Sequence, residues 1–194
     1  AMAQANLAMN DVDAAEKQFD LLMQEMPDNL QLRLALAQLY LRNDHAESAR
    51  RLLKPALAED SASPSGELYM LAGLASERLD DIDQALALYA RVPEGEHFMT
   101  ARVRGVRLFS EQKRIDDALS WLQSQENDYP DQYAALMELS LSLLDQNDQR
   151  PRADQLLDSA IRARAPDNDS LLYIRAVRAI EHQDLKAMER DMRT

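Results

Sequence analysis

The feature that most constrains this chain is a small residue followed four positions later by a large apolar one, a pair that returns about every 34 residues. It reads Ala15/Phe19, Ala49/Leu53, Ala85/Tyr89, Ala118/Leu122, Ala153/Leu157 and, in weaker form, Met188/Met192, at intervals of 34, 36, 33, 35 and 35 residues. About twelve residues before each pair stands a second small residue: Ala3, Ala37, Gly73, Ser140 and Ala176, with Val106 replacing it once. Pro27, Pro130 and Pro166 close units at matching points. Two antiparallel helices approach closely only where one side is small, and a bulky side chain one turn on fills the space beside it. A single helix pair cannot bury its apolar face alone, so successive pairs must stack.

The spacing predicts repeats at about 1–29, 30–65, 66–98, 99–132, 133–168 and 169–194, all in one array. An apolar content of 46% is ample for a core, and four glycines in 194 residues with abundant Ala, Leu, Gln, Glu and Arg favour helix throughout. The predicted helices lie near 12–25, 30–42, 45–58, 66–79, 81–92, 98–111, 114–127, 132–146, 151–164 and 168–181. Pro55 falls inside the third and is expected to kink it or end it early. The turn from Asp145 to Arg150 is expected to be one residue longer than its counterparts. Ala1 falls inside a first helix and Thr194 inside a second, so the sequence reads as a piece of a longer repeat protein.

The formal charge of −12 disfavours phosphate backbones, so general nucleic-acid binding is not expected. With no cysteine, thiolate chemistry and cysteine-based metal sites are excluded. His45, His97 and His182 fall in or beside turns of different repeats and lack the i,i+4 spacing of a helical metal site. No glycine-rich phosphate loop and no Ser/His/Asp grouping is evident. The chain is therefore read as non-catalytic and cofactor-free. No apolar run approaches the ~18 residues of a membrane-spanning helix, so direct membrane insertion by this segment is not expected.

If the small residue of each first helix faces its partner helix, a groove-facing stripe can be placed at positions −3, +1 and +4 from it. The stripe is Leu34, Gln38 and Leu41; Met70, Leu74 and Glu77; Val103, Arg107 and Ser110; Met137, Leu141 and Leu144; and Tyr173, Val177 and Ile180. It grows more apolar toward the C-terminal half and is the candidate protein-binding surface. Arg102, Arg104, Arg107 and Arg114 form a basic group that either anchors acidic partner residues or pairs internally with Glu77, Asp80 or Asp81. Trp121 is assigned to a hydrophobic face of a second helix that the next repeat covers.

A helix–turn–helix unit recurring at this period resembles the tetratricopeptide repeat (TPR). The resemblance implies an all-α solenoid of about five to six repeats, a right-handed superhelix of antiparallel helix pairs, whose function is to hold other proteins. The Lys/Asn clamp that one branch of the family uses for C-terminal carboxylates is absent, since the matching stripe carries Leu34, Met70, Val103 and Met137, then Gln38, Leu74, Arg107 and Leu141. The stretch from Ala87 to Glu96, ALYARVPEGE, together with Leu171 to Ala176 and Met188 to Arg193, is similar to gamma-proteobacterial TPR outer-membrane lipoproteins. That family includes an adaptor that brings cell-wall hydrolases to a carboxyl-terminal processing protease. The similarity implies such partners and a place on the periplasmic face of the outer membrane. Two other readings stay open: a regulatory or sensor region of a larger protein with its catalytic domain elsewhere, and a self-assembly module.

Overall fold

The computed structural model describes residues 12–59, 65–164 and 169–181. They form ten α-helices: α1 (Val12–Glu25), α2 (Leu30–Arg42), α3 (Ala46–Glu59), α4 (Gly66–Arg78), α5 (Ile82–Ala90), α6 (Phe98–Glu111), α7 (Ile115–Asp128), α8 (Tyr133–Gln146), α9 (Arg150–Ala163) and α10 (Asp169–Glu181). A 3-10 turn, Pro130–Gln132, leads into α8, and no strand occurs among the described residues. Local chemistry explains several of the boundaries. The Asn29 side chain caps α2 by accepting from the Leu32 amide at 2.9 Å, and the Ser65 hydroxyl caps α4 by accepting from the Leu68 amide at 3.2 Å. Pro151 occupies the first turn of α9, where its missing N–H costs nothing. Pro55 neither ends α3 nor shortens it: the helix continues to Glu59. The expectation of an early stop is corrected: Ala49 and Leu53 pack the helix before Pro55, and Ala56 and Leu57 stay half-buried after it.

Contacts divide the chain into two compact units, one ending at Leu108 and the other beginning at Phe109, within α6. In the first, α2 packs on α3, α3 on α4 and α4 on α5. Ala37, Ala49, Ala85, Leu53 and Tyr89 have no exposed surface, and Phe19 meets Tyr40 edge-on at 5.1 Å. Gly73 shows why its position must be small: a Cβ there would lie 2.5 Å from Cε1 of Tyr89. In the second unit α7, α8, α9 and α10 pack in sequence. Ala118, Leu122 and Ala153 are fully buried there, and Leu157 nearly so. Ala3, Met188 and Met192 lie outside the described residues, as does the side chain of Ala15.

The link from each first helix to its second is the same four times. Asp44, Asp80, Lys113 and Asp148 all adopt left-handed backbone, with φ of 65°, 59°, 59° and 58°. Their amides bond to the carbonyls of Leu41, Glu77, Ser110 and Asp145. The next amides, of His45, Asp81, Arg114 and Gln149, reach back to Tyr40, Ser76, Phe109 and Leu144. This is the Schellman geometry, which glycine usually supplies and which no glycine supplies here. The carbonyls of His45, Asp81, Arg114 and Gln149 then accept from Ala49, Ala85, Ala118 and Ala153, so the turn itself fixes where each packed alanine falls.

Candidate functional site

These turns provide an internal ruler for the first helices. Counting back from the left-handed residue, the positions matching Leu34, Gln38 and Leu41 are Met70, Leu74 and Glu77 in α4 and Val103, Arg107 and Ser110 in α6. In α8 they are Glu138, Ser142 and Asp145. Ala37, Gly73 and Val106 precede their left-handed residues by seven positions, but Ser140 precedes Asp148 by eight. The extra residue of the fifth repeat therefore sits in α8 and not in the turn, and it rotates the outward stripe by about 100°. Met137, Leu141 and Leu144 are consequently core, at 2%, 2% and 0% exposure, packed with Ala153, Leu157, Leu171 and Ile174. Their placement as groove residues is corrected.

Leu34 and Leu41 keep the register and are nonetheless buried. Positions −3 and +4 lie only about 60° and 40° around the helix from the small residue, on the shoulder of the packed face. Gln38, Met70, Leu74 and Val177 are half-buried, while Val103, Arg107, Tyr173 and Ile180 are exposed.

In the first unit the outward stripe is tied by polar links between successive first helices. The Gln38 amide donates to Glu67 at 2.6 Å. Glu77 receives the Tyr89 hydroxyl at 2.5 Å, Arg104 at 3.1 and 3.2 Å, and Arg107. Burial and the Glu77 carboxylate push the Tyr89 hydroxyl above its ordinary range, so it remains a donor. Met99, Thr100, Val103, Arg104 and Arg107 line a shallow hollow of about 420 Å³ on the same face of α6.

The basic group seen in the sequence is not one patch. Arg102 is fully buried, stacked over Phe98 at 3.9 Å, and donates to the carbonyls of Tyr89, Val92 and Ala90 at 3.1, 2.7 and 3.3 Å. It closes the end of the short helix α5, a role that sequence reading missed. The sequence signals for it are Pro93, which cannot continue the preceding helix, and an arginine on an otherwise apolar face. Arg104 and Arg107 share Glu77, as internal pairing predicted, whereas Arg114 pairs with Asp117 at 2.7 Å.

Two hollows lie among the described residues of the second unit. One, of about 720 Å³, lies between α7 and α9 over the Met137, Ser140 and Leu144 face of α8. Glu126, at one end, has its carboxyl raised by burial despite the opposing charge of Arg164, which stacks over Tyr133 at 3.4 Å. Trp121, half-buried in α7, stands 6.0 Å from Phe109 in the first helix of its own repeat. The other hollow, of about 360 Å³, separates α8 from α10 and is bordered by Glu138, Ser142 and Asp145 on one side and by Ile174, Val177 and Glu181 on the other. Arg178 bridges it by donating to Asp145 and, at 3.1 Å, to Asp154. Burial alone would lower the Arg178 pKa, but the two aspartates raise it above the usual arginine value.

Histidines at 45 and 97 sit at turns of different repeats, and His182 lies outside the described residues. No cluster of metal-ligating side chains occurs among the described residues, and none of their helices is long and apolar enough to cross a membrane.

Comparison with known proteins agrees with this architecture. Residues 6–74 match the tetratricopeptide repeat family. A stretch of 121 residues is 31% identical to the TPR repeat-containing protein PA4667 of Pseudomonas aeruginosa. The match covers 62% of this chain and 20% of that protein, so the chain spans about a fifth of the relative's length. Two crystal structures of MamA superpose with a TM-score of 0.54 each, at 17% and 16% identity, over 82% and 84% of this chain and 86% and 94% of theirs. The recurring helix pairs, the four matching turns and the family match over residues 6–74 give the described residues an all-α fold of tetratricopeptide-repeat type, and the MamA structures share its helical fold.

Proposed function

We propose that this chain is a non-catalytic scaffold that binds other proteins through its first-helix faces. The observation that carries the reading is a repeat array that leaves Tyr173 and Ile180, large apolar side chains seven positions apart on α10, 70% and 61% exposed. A more specific form of the proposal follows from the resemblance to outer-membrane TPR lipoproteins. In that form the full-length protein is an adaptor at the periplasmic face of the outer membrane that delivers cell-wall hydrolases to a carboxyl-terminal processing protease.

The immobilised chain should enrich a small set of proteins from cell-envelope extract over a control protein of equal charge, as read by mass spectrometry. Failure to enrich any protein sinks the scaffold reading. Enrichment that includes neither a processing protease nor a cell-wall hydrolase removes the adaptor form and leaves the scaffold.

A further inference from the structure

We propose that the groove between α8 and α10 binds a partner segment whose apolar side chains are flanked by lysine or arginine. The inference rests on the scaffold reading and names the partner chemistry at one of its surfaces. The two walls of the groove are chemically different. The α8 wall presents Glu138, Ser142 and Asp145, the positions that the turn register turns outward. The α10 wall presents Ile174, Val177 and Glu181, and the exposed Tyr173 and Ile180 stand about one turn to either side of Val177 on the same helix, outside the lining itself.

Among the lining residues the one base is Arg178, and its charge is met by both Asp145 and Asp154. Glu138 and Glu181 then leave the groove acidic. From Tyr173 to Ile180 the apolar stripe runs about 10 Å at ~1.5 Å per residue, enough to seat two turns of a helix or a few extended residues. Apolar anchors of the partner would cover this stripe. Its cations would face the carboxylates, with the Tyr173 ring offering a further cation contact. The same charges repel an acidic segment.

The test uses a short fluorescein-labelled peptide of leucine and lysine, and its counterpart with glutamate in place of lysine, titrated into the 194-residue chain by anisotropy. The leucine–lysine peptide is expected to bind and the leucine–glutamate peptide not to. Tyr173→Ser with Ile180→Ser should weaken binding by about tenfold or more. Glu138→Gln with Glu181→Gln should weaken it and flatten its dependence on salt.

Equal binding of both peptides, or binding unchanged in either double variant, overturns the proposal. So does loss of a concentration-dependent dimer in the serine variant by sedimentation equilibrium, which would assign the face to a second copy. A serine variant that melts well below the parent would show the face covered by the chain itself, with the same consequence. If the serine variant still captures the parent's envelope partners, this groove fails while the scaffold stands; if neither chain captures any, the scaffold reading fails.

Discussion

At the scale of single residues, the small-and-large pairing was legible because sterics alone dictates it. Gly73 and Tyr89 show how tightly. Alanine in place of glycine within a helix normally gains about 1 kcal/mol. At Gly73 the new Cβ would press on a fully buried ring whose hydroxyl is pinned to Glu77. Overpacking of this kind costs about 1–3 kcal/mol, so Gly73→Ala should lower stability in urea titration, and adding Tyr89→Leu should reverse the sign of its effect. Arg102 was not legible, because a buried arginine bonded to backbone carbonyls has no sequence partner to betray it. Arg102→Met removes the guanidinium from the Tyr89, Ala90 and Val92 carbonyls, of which Tyr89 keeps the Val92 amide as a donor, and should cost about 2–4 kcal/mol. Arg102→Lys should recover only part of this, since one ammonium cannot span the three acceptors that the guanidinium reaches.

At the scale of elements, helix ends were read to within a few residues, and what the sequence hid was register. Ser140 looked like the small residue of its helix, yet the turn counts from Asp148, and one residue of helix separates the two rulers. The consequence is directly measurable. Leu141→Ala should cost about 2–5 kcal/mol as a core truncation, while Ser142→Ala, one position on, should stay within about 0.5 kcal/mol. Similar small effects at both sites would contradict the register assigned here. The turns were hidden for a related reason: they use aspartate three times and lysine once where glycine is the usual signal. Aspartate tolerates left-handed backbone better than most residues, whereas lysine bears a cost of about 1–2 kcal/mol there. Lys113→Asn should therefore raise the chemical denaturation midpoint, and Asp80→Asn should leave it nearly unchanged.

At the scale of the molecule, the 34-residue period carried the fold, because each helix pair needs its neighbours to bury its apolar face. It carried much less about function, since the faces left open depend on which shoulder positions the neighbouring helices cover. Burial in each compact unit is shared between consecutive helices, so stability should be a sum of local terms and not a single global quantity. Ala153 is fully enclosed between α8 and α9, in the same cluster as Leu171 and Ile174 of α10. Ala153→Leu forces a branched side chain into that space, at a cost of about 1–3 kcal/mol. Native-state hydrogen exchange followed by mass spectrometry should then show faster exchange in α8, α9 and α10, with amides of α4 and α5 holding their parental protection. Ala85→Leu should produce the mirror pattern, loosening α4 and α5 while α9 is unaffected. Uniform acceleration along the whole chain in either variant would mean that the array opens as one cooperative block, and that nearest-neighbour packing does not set its stability.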